Sequence, residues 1–214
     1  MLVKDIMVKN PITIAPEASV LEAKDLMTKN GINKLPVLDK NGALVGIITR
    51  NDLMKSSPSD ATTLDMFELG YLLSKLTVEK TMSRSVKTVC ESDTVEEAAR
   101  LMSDYSVGCL PVLRGNILVG IVTESDVFAS FMRMFNTRAS GVRATVIMTE
   151  EPGQLAKFTA AIADKGGNIV SIVSSDVDST NHRMVTVKAT SIGIDDFKKI
   201  ITDCGATVDD IRNV

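Results

Sequence analysis

A chain of 214 residues with 44% hydrophobic content can bury one large core or two modest ones, so one to three compact units are expected. Its 24 basic and 27 acidic residues are interspersed and leave a net charge of −3; with no Trp and two Tyr, neither a nucleic-acid surface nor a stacking platform for single strands is implied. The N-terminal MLVKDIMVKN lacks the apolar core of a signal peptide, no segment reaches the roughly 18 uncharged apolar residues of a membrane span, and Cys90, Cys109 and Cys204 have no disulfide or zinc spacing, so a soluble cytoplasmic protein without a metal is expected.

In chain order, Ile12–Ile14 reads as a short strand. Ser19 with Glu22 three residues on is the capping box of a helix whose apolar face is Val20, Ala23, Leu26 and Met27. LPVLD and ALVGIIT then form a hairpin, and a second helix begins near Asn51. The SSPSD stretch reads as a linker, and TTLDMFELGYLLSKLTVEK as an inserted amphipathic helix with Leu64, Phe67, Tyr71 and Leu72 or Leu76 toward the core.

The pattern then repeats. A strand over Val86–Val89, a capping box of Thr94 and Glu97, a helix face of Val95, Ala98, Leu101 and Met102, the hairpin LPVLR and ILVGIVT, and a helix from near Ser125 follow. Met7 and Met82, Thr13 and Thr88, Met27 and Met102, and Leu35-Pro36-Val37-Leu38 and Leu110-Pro111-Val112-Leu113 correspond at an offset of 75. After a turn one residue shorter in the second copy the offset is 74. A unit of roughly 50 residues cannot cover its own sheet, so the copies should pack face to face.

Both copies end on the same signal, Thr49-Arg50-Asn51-Asp52 and Thr123-Glu124-Ser125-Asp126. Thr and Asp three apart after an apolar strand make a helix cap that needs no ligand. The same pair can also present a hydroxyl and a carboxylate to a ribose diol in a cleft between the copies, with backbone near Lys34-Leu35 and Cys109-Leu110 reading an adenine edge.

The β-α-β-β-α repeat resembles the tandem cystathionine-β-synthase (CBS) domain pair over about residues 1–130, most specifically in the twinned GIIT-RN-D and GIVT-ES-D endings and the twinned LPV strands. That resemblance implies an adenosyl ligand held by Thr49 and Asp52 in one site and by Thr123 and Asp126 in the other. It also implies contributions from Ile12-Thr13, from Val86-Lys87-Thr88, and from the turns before Pro36 and Pro111. Arg50 stands where the second copy has Glu124, so it is a candidate for a nucleotide phosphate, with Lys87 and Arg84 available to offset Glu124.

From Gly141 the texture changes. GVRATVIM, EPGQLAKFTAAIADKG, NIVSIVSSDV, RMVTVKAT, IDDFKKIITDCG and ATVDDIRNV read as β-α-β-β-α-β, a ferredoxin-like order, with His182 in an exposed loop. Around Glu150–Leu155 and Gly166–Ile169 this part resembles the ACT domain, the amino-acid-sensing module of metabolic regulators. Helix-start amides near Gly153, Gln154 and Leu155 suit an α-carboxylate, and Asn168 with Ile169 suits the ammonium end. Glu150 and Glu151 depart from the usual pattern and add negative charge there, so dimerisation alone is the other reading.

The expected fold class is therefore α/β (α+β): CBS repeat 1 at 1–57, an inserted helix at 58–77, CBS repeat 2 at 78–135 and an ACT-like unit at 136–214. A CBS pair followed by an ACT domain resembles the AcuB-type proteins of acetoin utilisation. With no histidine beside a nucleophile, no GxGxxG or GxxxxGK[ST] loop and no metal-ligand cluster, no enzyme is expected. The expected protein is a homodimeric regulator acting on an unidentified protein target, with adenine nucleotide as effector and an amino acid as a candidate second one. A dimerisation module with empty clefts is the alternative.

Overall fold

The computed structural model describes residues 1–56, 75–177 and 181–214, so the expected inserted helix lies outside the described residues up to position 74. The chain divides into two compact units, Met1–Phe128 and Ala129–Val214.

In the first unit, α1 (Val20–Asn30) and α4 (Val95–Tyr105) start where Ser19 and Thr94 accept the Glu22 and Glu97 amides, each at 3.1 Å. The glutamate half of the expected box forms in neither copy among the described residues, and in the second the Glu97 carboxylate takes Arg100 at 2.6 and 2.9 Å. The predicted apolar faces pack inward, with Val20, Ala23, Met27, Val95, Ala98 and Met102 all buried. The hairpins are β2 (Lys34–Leu38) with β3 (Leu44–Thr49), and β5 (Cys109–Arg114) with β6 (Ile117–Thr123). Their registers match, and each carries a bulge at the same place, between Val37 and Leu38 and between Val112 and Leu113.

The leading strands are shorter than the sequence suggested. Only Ile14 pairs in the first copy, in a parallel bridge to Val37, because Pro11 and Pro16 bracket the segment and withhold two amide donors. In the second copy the ladder is β4 (Val89–Cys90), parallel to β5.

The segment ahead of each copy is exchanged onto the other. Strand β1 (Val8–Lys9) pairs antiparallel with β6, and Ser83 bridges Ile47 of β3. The Val3 amide donates to Asp93, while the Val78 amide, at the start of α3 (Val78–Thr81), donates to Ala18. Val78 and Met82 consequently belong to the first copy's core, with Leu76 packed against it; Leu76 and Thr77 are not helical, so the expected helix does not run on unbroken to Lys80. Gly46 and Gly120 make room for the exchanged methionines: a Cβ on Gly46 would lie 2.3 Å from Met82 Sδ, and one on Gly120 2.5 Å from Met7 Sδ. Ile47, Cys109 and Ile121, with Val86 against them, form the apolar seam between the copies.

The second unit has the expected β-α-β-β-α-β order: β7 (Val142–Thr149), α6 (Gln154–Asp164), β8 (Asn168–Asp176), β9 (His182–Thr190), α7 (Ile194–Asp203) and β10 (Thr207–Asn213). The sheet order is β10-β7-β9-β8 with every pair antiparallel. Alternate residues of β7 and β9, from Val142 to Met148 and from Val185 to Ala189, meet Phe158, Ile162, Phe197, Ile200 and Ile201 in one core. His182, expected in a loop, opens β9 and is exposed.

Candidate functional site

The twinned endings fold identically. Where β3 runs into α2 (Arg50–Ser56), Asp52 Oδ2 accepts from the Thr49 hydroxyl at 2.7 Å and the Thr49 amide at 2.9 Å, and the Asp52 amide donates back to Thr49 Oγ1 at 3.3 Å. Where β6 runs into α5 (Glu124–Met134), Asp126 and Thr123 repeat these bonds at 2.7, 2.8 and 3.4 Å. The capping box is thus complete at these ends, with both side chains half-buried and held in one geometry.

Beside the second ending lies a cleft of about 330 Å³ that draws on both copies. Ile121, Thr123 and Ser125 face Ile12, Asn33 and Lys34 across it, with Val8 and Asn10 of the exchanged segment at its edge. Thus of the residues singled out by sequence, Ile12, Lys34 and Thr123 share one cavity, Asp126 is bonded to Thr123, and Thr13 is half-buried beside Ile12. Leu35, Pro36, Cys109, Leu110 and Pro111 are buried, so Leu35 and Leu110 can offer only backbone. Val86, Lys87 and Thr88 are half-buried ahead of β4. Gly31, Ile32 and Asn33 were not singled out, although their position between a helix C-cap and a strand start marks a loop.

Charge separates the twins. Lys34 Nζ donates to the Gly108 carbonyl, which also accepts the Glu124 amide at 3.3 Å. A Cβ on Gly108 would be 2.9 Å from Glu124 Oε2 and 3.0 Å from Lys34 Nζ, so a cation and a carboxylate flank the same backbone position. The neighbouring Cys109 thiol is pushed up by burial, with Lys34 opposing and Glu124 adding, which makes it a core thiol rather than a nucleophile. Arg50 is exposed, its amide bonded to Asn33 O at 2.8 Å. The two cations expected to offset Glu124 are engaged elsewhere: Lys87 Nζ lies 3.9 Å from the Tyr105 ring centroid, and Arg84 pairs with Glu79 at 2.9 Å. Among the described residues no group of His, Cys, Asp and Glu comes together to hold a metal, and no helix is long and apolar enough to cross a membrane.

In the second unit Gly153 is the N-cap of α6, at φ 92°, and Gln154 and Leu155 line a cavity of about 330 Å³. Asn168 and Ile169 do not join it. Asn168 pairs with Thr190 and Ile169 with Ala189, at the end of the sheet where β7 begins, whereas Gly153 follows the other end of β7. The 11-residue α6 separates them by about 16 Å of rise, so the expected effector constellation is not assembled within one chain. The cavity instead holds Arg183, opposite Thr149–Pro152, which the sequence reading passed over.

These features coincide with known families. Residues 3–59 and 78–133 match the CBS domain family and residues 140–212 the TTHA0829-like ACT domain family, so the chain belongs to the CBS-domain proteins, with an ACT domain following the pair. It is 37% identical over 131 residues to the L-aspartate semialdehyde sulfurtransferase of Methanocaldococcus jannaschii, which covers 61% of this chain and 23% of that enzyme. The chain spans less than a quarter of that enzyme's length. Among solved structures, the CBS domain pair of protein MJ0100, in complex with 5′-methylthioadenosine and S-adenosyl-L-methionine, is 37% identical at a TM-score of 0.51, covering 61% of this chain and 95% of that one. CBSX2 in complex with AMP is 31% identical at 0.50, covering 61% and 96%. A putative acetoin utilization protein (AcuB) from Vibrio cholerae is 28% identical at 0.54, covering 64% and 95%.

Proposed function

We propose that this chain is a non-catalytic cytoplasmic regulator that senses an adenosyl ligand between its CBS copies and an amino acid at its ACT domain. The observation that carries the first part is the cleft in which Thr123, fixed by Asp126, faces Ile12 and Lys34 of the other copy. The capping bonds engage Oδ2 of each aspartate, and Oδ1 is the atom assigned to the ribose diol. The ligands named for the MJ0100 and CBSX2 structures support an adenosyl group. Likeness to the Vibrio cholerae protein supports a role in acetoin utilisation, exerted on a protein target.

The test is thermal unfolding with and without AMP, ATP and S-adenosyl-L-methionine. A ligand at 100 times its dissociation constant stabilises the folded state by about 2.7 kcal/mol, and the matching rise in Tm is the expected result. No rise with any of the three would favour a dimerisation module whose capping boxes serve only the helices.

The regulator is proposed to be a homodimer. Met54 and Phe128 are twins at the offset of 74 and are 68% and 67% exposed on α2 and α5, so two large apolar side chains related by the repeat face solvent among the described residues. Light scattering should give twice the 23.0 kDa chain mass, and Met54→Glu with Phe128→Glu should give the monomer.

A further inference from the structure

The cavity at the start of α6 contains an arginine that is only half used. Arg183 lies on the core-facing side of β9, two residues before Val185, and reaches the loop between β7 and α6. Its Nη1 donates to Ser174 Oγ at 3.2 Å, and its Nη2 donates to Glu150 Oε1 at 2.6 Å and Asp176 Oδ1 at 3.0 Å. Its Nε–H is shielded from solvent and has no acceptor among the described residues. Nε and Nη2 form the edge of a guanidinium that takes a carboxylate through two parallel hydrogen bonds. Here two carboxylates crowd onto Nη2 and the Nε half of the fork is idle. A buried donor without a partner is a feature a native structure has reason to keep.

We infer that Arg183 is the carboxylate-binding residue of this cavity and that the ligand is a zwitterionic α-amino acid with an aliphatic side chain. This rests on the amino-acid reading of the ACT domain and names its recognition residue. The ligand carboxylate takes the Nε–Nη2 edge and displaces Glu150, whose side chain is 48% exposed and moves into water at little cost. Glu151, which also lines the cavity, then meets the ammonium, with Asp176 remaining on Arg183, so the acidic residue next to Pro152 that would repel a simple anion has a purpose. Met148, Leu155 and Val185 wall the remaining space with apolar surface. Glu150 is thereby a placeholder that competes with the ligand for Arg183.

The full chain is titrated calorimetrically with L-leucine, L-isoleucine and L-valine, and with isopentylamine and 4-methylpentanoate, which each lack one charge of leucine. At least one amino acid should bind, with both analogues at least tenfold weaker. Arg183→Gln should weaken that amino acid at least tenfold, while Glu150→Gln, which keeps shape and weakens the competitor, should bind it more tightly. Melting without ligand identifies any variant that fails to fold, and Glu150→Gln, at an exposed site, then still decides. If the amino acid binds but Arg183→Gln leaves its affinity unchanged, or Glu150→Gln weakens it, Arg183 is not the recognition residue while amino-acid sensing stands. If none of the three amino acids binds the parent chain, both the inference and the amino-acid reading fall.

Discussion

The two CBS copies repeat each other atom for atom where the chain turns from strand to helix, and differ where the cleft is lined. Thr49 with Asp52 and Thr123 with Asp126 form the same three hydrogen bonds, and Met82 on Gly46 is mirrored by Met7 on Gly120. Between these fixed points Arg50 is replaced by Glu124 and Lys34 by Cys109. Duplication has kept the parts that set backbone geometry and released the parts that set charge. The two endings are therefore framed alike but differ in the charge beside them.

The largest effects should test the frame. Leu35 and Leu110 are twins with no exposed surface, so Leu35→Ala and Leu110→Ala should each destabilise the chain by about 2–5 kcal/mol in chemical denaturation. If the exchanged segments bind the copies into one cooperative unit, the two costs should be alike and each transition single. Met82→Ala sharpens this, because Met82 belongs to the first copy's core despite standing at the head of the second. Hydrogen exchange should then show β2 and β3 losing more protection than β5 and β6.

Next come the carboxylates. Asp52→Ala and Asp126→Ala should each remove a ribose contact worth about 1.5–3 kcal/mol of adenosyl affinity, read by calorimetric titration. Loss of the cap alone would lower stability by about 1 kcal/mol and leave affinity unchanged. An undiminished affinity in the double variant would exclude the ribose role.

Charge comes third. Arg50→Ala should weaken AMP by about 1.5 kcal/mol, roughly tenfold, and leave adenosine unchanged, if its permanently charged fork meets the phosphate. Arg50 is exposed, and only its backbone amide, on Asn33 O, is tied to the neighbouring loop among the described residues. Equal weakening of AMP and adenosine, or of neither, would remove Arg50 from the phosphate.

The fold was legible because it is written twice. Helix faces and the first hairpin strands recur at an offset of 75 and the Thr-x-x-Asp endings at 74, and chance does not repeat a hydrophobic pattern over fifty residues. The exchange of Met1–Lys9 and Leu76–Ser83 was not legible, because Val3 and Val78 are buried at twin positions whether each segment packs at home or across the seam. The cleft was half legible. Ile12, Lys34 and Thr123 followed from the family pattern, but Lys34 was chosen for its backbone, and the reach of its ammonium to Gly108 depends on a side chain crossing between copies. Asn168 shows the opposite failure. Closeness in the family motif did not become closeness in one chain, since α6 and the antiparallel register put it at the far end of the sheet. Arg183 was invisible because an arginine in an alternating strand looks like a solvated charge, and only the register with Asp176 and the nearby Glu150 exposes its unused donor.

The smallest effect contrasts the twins at a single dihedral pair. Helices α1 and α4 both end on a left-handed residue whose amide bonds back into the last turn, Gly31 at φ 64° and Ser106 at φ 52°. Glycine takes this conformation without steric cost, whereas a side chain brings its Cβ close to the following carbonyl, at roughly 1–2 kcal/mol. Glycine's greater freedom in the unfolded chain returns about 0.4–1 kcal/mol of that. Nothing stands within 4 Å of the Cβ position at Gly31, so conformation alone decides there. Ser106→Gly should therefore stabilise the chain by about 0.5–1 kcal/mol and Gly31→Ser should destabilise it by a similar amount, read as opposite shifts in Tm. With the frame shared, the two changes in one chain should nearly cancel. If Ser106→Gly instead lowers Tm, the serine side chain is making a stabilising contact at its own cap, and the two helix ends are not equivalent.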